Sequence, residues 1–128
     1  MLLSMLKMRK IRSIIATELN RNAHIINSVS YPVTVNEQMN HTACNEHREY
    51  VPYISLSCWH HGKDGEKIYN HTSGITIYAG SILYICKTKK LDVESYTRSI
   101  MSHLIHKIAT CQDPTYPTEL QKPATKTA

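Results

Sequence analysis

Cysteine and histidine residues in the middle of the chain have the types, and part of the spacing, of a zinc site. Two residues separate Cys44 from His47, and one residue separates Cys58 from His60. Thiolate sulfur and imidazole nitrogen are the ligands that structural zinc prefers, and four of them close a tetrahedral site. The first pair has an acceptable spacing, whereas the second does not match a common zinc module. Zinc bound by these four residues is one hypothesis, and a Cys58 that packs as a small apolar residue is the other.

Residue types suited to nucleophilic and acid–base catalysis are present, including eight histidines, but no local motif assembles them. The chain has no nucleophile elbow, no phosphate-binding or dinucleotide-binding glycine motif and no zinc-protease helix motif. His103 and His106 lie on a predicted helix, where helical geometry places them on or beside the polar face. We therefore assign no catalytic residue, expect a protein that is not an enzyme, and expect no cofactor other than the hypothetical zinc.

Basic residues are concentrated at two places in the chain, and this predicts contact with an acidic partner. The net charge is +5, and residues 1–30 carry five basic residues but one acidic residue. Ammonium and guanidinium groups clustered in this way bind nucleic-acid phosphates, anionic lipid headgroups or acidic proteins. The candidate binding residues are Lys7, Arg9, Lys10, Arg12, Lys87, Lys89 and Lys90.

The basic N-terminal segment also fits two other interpretations. A basic amphipathic segment with no acidic residue before Glu18 is typical of mitochondrial import signals, which are removed after import. A core-packing surface helix with a basic outer face has the same pattern and needs no partner at all.

Length and composition indicate one small intracellular domain. The chain has 128 residues, of which 41% are hydrophobic and 20% charged, and these values are typical of globular proteins. We find no pattern of a secretory signal, and the longest apolar run, residues 74–86, is shorter than the roughly 20 residues of a membrane span. Widely spaced cysteines without a secretory signal do not predict disulfides. We expect a cytoplasmic location, with the mitochondrion as the alternative.

Two segments have the apolar periodicity of amphipathic helices. Residues 5–20 carry apolar side chains at helical spacing, among them Ile11 and Ile15. Residues 93–110 carry a second apolar stripe, and Asp92 directly before it is a typical N-cap.

Strand patterns occupy the middle of the chain. Apolar and polar residues alternate along residues 50–60, and Asp64 and Gly65 predict a tight hairpin turn because both residue types tolerate positive φ. A second hairpin is predicted at Ala79 and Gly80. The other predicted strands cover residues 24–35, 67–70, 74–78 and 81–86, and residues 36–48 are predicted to be a loop.

This order of elements predicts an α+β domain in which an antiparallel sheet of about four or five strands is flanked by an N-terminal and a C-terminal amphipathic helix. The domain covers residues 1–111, and residues 112–128, which are rich in proline, threonine and lysine, are expected to form a flexible tail. The function that the sequence favours is a small, non-enzymatic binding or accessory protein with an acidic partner, for which nucleic acid is one candidate. The alternatives are a zinc-stabilised Cys/His module, a mitochondrially targeted protein and a reading frame without a selected function.

Overall fold

Helices and a small antiparallel sheet form the fold in the computed structural model, which describes residues 2–44, 50–68 and 74–122. The helices are α1 (Leu2–Arg21), α2 (Ala23–Ile26), α3 (Ala79–Lys89) and α4 (Val93–Ala109). The strands are β1 (Thr34–Cys44), β2 (Tyr50–Ser57), β3 (His60–His61), β4 (Lys67–Ile68) and β5 (Gly74–Ile77). Among these described strands, three form a sheet in the order β1-β2-β5, and β3 pairs with β4 in a separate hairpin.

The predicted α+β class is confirmed, and the predicted sheet is matched only in part. The main sheet of the described residues has three strands instead of four or five, because β3 and β4 pair with each other outside this sheet and residues 81–86 are helical. The expected N-terminal and C-terminal helices are present as α1 and α4, and α2 and α3 accompany them in the described part of the chain.

Strand β2 is the centre of the sheet, and the predicted alternation along residues 54–58 is confirmed. Ile54, Leu56 and Cys58 are fully buried, and the residues between them are only partly covered. Antiparallel pairing places Leu56 opposite Val35 of β1 on one side and opposite Ile75 of β5 on the other. The apolar side chains of β2 therefore share one face of the sheet.

Helices α1 and α4 join this apolar face to form the core. Ile11 and Ile15 of α1 are fully buried, as are Leu104 and Ile108 of α4. Residues four positions apart lie on the same side of a helix, so each pair directs one stripe into the core. Both predicted amphipathic helices are therefore confirmed.

The predicted strand over residues 81–86 and the predicted hairpin at Ala79 and Gly80 are wrong, because this segment forms α3. Ile82 and Ile85 are both buried although they are three positions apart, a spacing that a helix places on one face and a strand places on two. An apolar run of this length is compatible with either structure, so its composition alone does not distinguish them.

Residues 24–48 also differ from the prediction. Helix α2 begins at Ala23, so the start of the segment predicted as a strand is helical. Strand β1 begins at Thr34 and extends to Cys44, across most of the predicted loop at residues 36–48. Backbone N–H and C=O groups make the pairing of β1 with β2, and polar residues carry these groups just as apolar residues do. The polar composition of this segment therefore did not indicate a strand.

The turn between β3 and β4 is formed as the sequence predicts. Asp64 and Gly65 have φ values of 63° and 76°. These left-handed conformations reverse the chain, so that His60 pairs with Ile68.

Residues 112–122, the described part of the predicted tail, lie against the sheet and α3. Leu120 is fully buried, and its carbonyl oxygen accepts a hydrogen bond of 2.8 Å from the backbone N–H of Tyr78. The hydroxyl of Tyr116 donates to the carbonyl oxygen of Thr76 at 3.0 Å. These contacts hold this segment over the end of β5. The final residues of the predicted tail lie outside the described part of the chain.

The contact made by Leu120 predicts a measurable loss of stability. Leu120→Ala should lower the free energy of unfolding by about 2–5 kcal/mol, because it removes a fully buried side chain and leaves a cavity. Glu119→Ala, at the exposed neighbouring position, is the control. Urea denaturation followed by circular dichroism measures both variants, and equal stabilities of the two would contradict the packing of this segment.

Candidate functional site

The predicted basic residues lie on α1 and at the end of α3. Lys87 and Lys89 are in the last turn of α3, and Lys90 is its C-cap residue. Lys90 adopts a left-handed conformation with φ of 55°, and the N–H of Leu91 donates to the carbonyl oxygen of Cys86 at 2.9 Å. This C-cap turns the chain sharply from α3 into α4. The three lysines are exposed beside that turn.

The four predicted binding residues of α1 lie on two flanks of the helix, so they do not form one surface. Lys7 and Lys10 are three positions apart and share a flank, and Arg9 and Arg12 share another. Lys10 lines a shallow groove between α1 and α4. Arg12 is partly buried, and its Nη2 donates to the carbonyl oxygen of Val35 in β1 at 3.5 Å.

Asp92 connects Lys10 with the turn between α3 and α4. Its carboxylate caps α4 as predicted, because Oδ2 accepts a hydrogen bond of 2.9 Å from the backbone N–H of Ser95. Hydrogen bonds from Ser95 are the main cause that lowers the pKa of Asp92, and the positive charges of Lys10 and Arg98 lower it further. Lys10 lines the same groove as Glu94 in the first turn of α4, so this lysine lies at the same end of the molecule as Lys90, which is four residues before Glu94.

Two basic segments that are distant in sequence therefore meet at one end of the fold. We call this surface the basic end, and it consists of Lys7, Lys10, Lys87, Lys89 and Lys90. All five lysines are exposed, and within the described residues none forms an ion pair.

The arginine further along the groove differs from these lysines because its charge is compensated. Arg98 Nη2 lies 2.7 Å from Glu94 Oε1, and Arg98 Nε lies 3.6 Å from Glu18 Oε1. Glu18 is buried and also lies 3.3 Å from Arg21 Nη1. This part of the groove is thus close to neutral, and the excess of positive charge is at the basic end, where five lysines outnumber the neighbouring Asp92 and Glu94.

Two large apolar side chains are exposed at the basic end. Leu6 lies on α1 one turn before Lys10 and is 51% exposed. Leu91 lies in the turn between Lys90 and Asp92 and is 43% exposed. Lysines surround both leucines, which gives this surface a mixed cationic and apolar character.

The structure describes Cys58 and His60 of the predicted zinc ligands, and both are buried among protein groups. The sulfur of Cys58 lies 3.0 Å from the hydroxyl oxygen of Ser30. Nε2 of His60 lies 3.1 Å from the carbonyl oxygen of Ile108, which is a hydrogen-bond distance. These contacts favour a structural role of both residues in the core.

The strand register separates Cys58 from the other predicted ligands. Cys44 pairs with Tyr50 at one end of the β1–β2 hairpin, whereas Cys58 follows Ser57 at the other end. Antiparallel strands rise about 3.4 Å per residue, so these two ends are roughly 24 Å apart. The structure does not bring Cys44 and Cys58 together, and His47 lies outside the described residues.

No catalytic group emerges among the described residues. His106 is exposed, and Nε2 of His103 lies 3.0 Å from the hydroxyl oxygen of Thr115. Burial raises the pKa of the Cys86 thiol, and the negative charge of Asp92 raises it further, which disfavours the reactive thiolate. Within the described part of the chain, no group of three His, Cys, Asp or Glu side chains is placed to hold a metal ion.

Sequence reasoning identified the lysines of the basic end but not their proximity. Leu6 and Leu91 were not recognised as surface residues, because an exposed leucine in an amphipathic segment has the same sequence signal as a buried one. The one available signal was the position of Leu6, which is nine residues before Ile15 and therefore on the opposite side of the helix.

Comparisons with known proteins give no match from which a function could be inferred. No family model, curated protein or solved structure matches the chain. None of the helices in the described ranges has both the length and the apolar composition that crossing a lipid bilayer requires.

The N-cap of α4 predicts a pH-dependent stability. Because folding lowers the pKa of Asp92, its carboxylate stabilises the fold above about pH 4, and this contribution is lost as the pH falls through the lower pKa of the folded protein. Asp92→Ala should therefore lower the melting temperature at neutral pH, and the difference from the unaltered protein should shrink in acid. Thermal melts across the acid range measure this difference in melting temperature, and Asp113→Ala is the control. A difference independent of pH would contradict the role of the charge.

The separation of Cys44 from Cys58 predicts how the protein responds to metal removal. Protein purified without added zinc should contain zinc well below one ion per chain, and a strong chelator should leave its melting temperature unchanged. Elemental analysis and thermal melts measure these properties. One tightly bound zinc per chain, lost in Cys58→Ala, would contradict the separation of the two cysteines.

Proposed function

We propose that this protein is a non-enzymatic binding protein whose basic end holds an acidic partner that carries phosphate groups. The observation that carries the proposal is the groove that Lys10 and Glu94 line together, since it places the basic residues of α1 near the start of α4 and thus near those that end α3. Five exposed ammonium groups on one surface attract a polyanion more strongly than the same charges spread over the molecule.

The helix ends at this surface favour the proposal further. The first turn of α1 has no acidic residue, so the partial positive charge of this helix end adds to that of Lys7 and Lys10. Lys87 and Lys89 lie at the C-terminal end of α3, where the helix dipole favours cations.

Lysine side chains determine what kind of recognition to expect. An ammonium group is a compact point charge on a flexible stem, and it binds phosphate without the fixed two-point geometry of arginine. Arg9 and Arg12 lie on another flank of α1, so the basic end is a surface of lysines alone. We therefore expect binding that depends on salt and not on nucleotide sequence, with nucleic acid as one partner of this class.

Retention of α1 distinguishes this proposal from that of a removable import signal. Ile11 and Ile15 of α1 are fully buried in the core. Cleavage after the first twenty or so residues would remove both side chains and expose the face of the sheet that they cover. The packing therefore supports α1 as a permanent element of the folded protein.

Charge reversal at the basic end tests the proposal. The double variant Lys7→Glu/Lys89→Glu changes one lysine in each segment, and both positions are exposed on helices. Binding to inorganic polyphosphate and to a short DNA duplex should weaken at least tenfold, and the slope of log affinity against log salt concentration should fall by about two. Fluorescence anisotropy between about 50 and 200 mM salt measures both quantities.

The control variant Lys63→Glu/Lys122→Glu has the same change in net charge at exposed positions away from the basic end. Lys63 lies in the turn between β3 and β4, and the carbonyl oxygen of Lys122 accepts a hydrogen bond from Ser81 at the start of α3. An equal loss of binding in both double variants would show a general charge effect. Absence of binding by the unaltered protein to every phosphate-bearing probe would contradict the proposal.

A further inference from the structure

We infer that the phosphate-bearing partner is the surface of an anionic lipid membrane, to which the basic end binds by combining lysine–phosphate contacts with insertion of Leu6 and Leu91. This inference rests on the proposed function and names the chemical class of its partner. It depends on the exposed side chains of Leu6 and Leu91, because a partner that offers only phosphate groups would make no contact with these apolar groups.

The exposure of Leu6 follows from its place on α1. Leu6 and Ile15 are nine positions apart, which corresponds to opposite sides of a helix. Ile15 is fully buried, so Leu6 points away from the core and is 51% exposed. About half of this residue is accessible, so its side chain is available to an external apolar phase.

Leu91 adds a second exposed apolar side chain at the same end of the molecule. It lies in the turn between α3 and α4, directly after Lys90 and directly before Asp92. Lys10 and Glu94 line one groove, which places this turn near the part of α1 that carries Leu6, because Leu6 is one turn before Lys10 and Leu91 is three residues before Glu94. The two leucines thus come from different elements and meet at one surface.

Lys7 directly follows Leu6 on α1, and Lys10 lies one turn further along the helix. An amphipathic helix whose apolar residues are bordered by lysines is the usual composition of a segment that lies in a membrane interface. Double-stranded nucleic acid, in contrast, presents charged phosphates at its surface and is contacted mainly by polar groups.

The charge of the basic end matches the charge of an anionic leaflet. Each lysine near such a surface strengthens partitioning by roughly fivefold at ordinary ionic strength. Five lysines with two leucines provide both signals that stable attachment of a peripheral protein needs, an electrostatic one and an apolar one. The leucines would sit between headgroups while the ammonium groups contact lipid phosphates.

Four large hydrophobic side chains are exposed in the described residues, and they allow a test variant and a control variant of similar exposure. Leu6→Gln/Leu91→Gln removes the apolar pair of the basic end without changing its charge. Ile25→Gln/Ile68→Gln changes two side chains of similar exposure, 42% and 41%, which lie on α2 and β4.

The experiment is co-sedimentation of the full chain with vesicles of phosphatidylcholine that contain about one third phosphatidylserine, with pure phosphatidylcholine vesicles and a short DNA duplex as the other probes. We expect binding to the anionic vesicles, a loss of about tenfold in Leu6→Gln/Leu91→Gln, and little change in Ile25→Gln/Ile68→Gln. The affinity for the duplex should be unchanged in both variants, because neither alters a charge. Thermal melts establish that both variants are folded.

The other outcomes separate this inference from the proposed function. Equal vesicle binding by the unaltered protein and by Leu6→Gln/Leu91→Gln would overturn the membrane inference, as would binding to the duplex without binding to anionic vesicles. In both cases the phosphate-binding function of the basic end would stand. Failure to bind vesicles, duplex and polyphosphate alike would overturn the inference and the proposed function together.

Discussion

Burial of the apolar stripe of α1 is the constraint on which the rest of this account depends. Ile11 and Ile15 are fully buried, and this fixes both the position and the rotation of the helix against the sheet and α4. Once α1 is held in this way, Lys10 lies in the same groove as Glu94 of α4, and Leu6 points away from the core. The basic end is therefore a consequence of core packing and not an independent design of the surface.

The amphipathic helices and the central strand could be predicted from the sequence because each carries a clear period. Ile54 and Leu56 alternate with polar residues, and the α4 stripe follows a capping aspartate at Asp92. Periodicity failed for α3, where a continuous apolar run such as that around Ile82 suits a strand or a helix. It also failed for β1, whose polar residues pair through the backbone after Thr34.

The candidate site could be predicted only as a list of residues, because its geometry is a tertiary property. Charge clustering along the chain indicated Lys10 and Lys90, but their proximity arises from the way in which α1 packs beside the turn that follows α3. The same tertiary geometry separates Cys44 from Cys58, although the two pairs of cysteine and histidine appear close in the sequence. Sequence spacing alone thus indicates neither the separation of the two cysteines nor the proximity of the two lysine segments.

An NMR titration with short inorganic polyphosphate tests most directly whether the two lysine segments form one binding surface. The account predicts that the backbone amide signals of residues 7–10 and 87–92 shift together, with a single dissociation constant. The signals of the hairpin turn around Lys63, which also carries exposed basic residues, should move little. Shifts in only one of the two segments, or shifts of the two segments with different dissociation constants, would contradict the account.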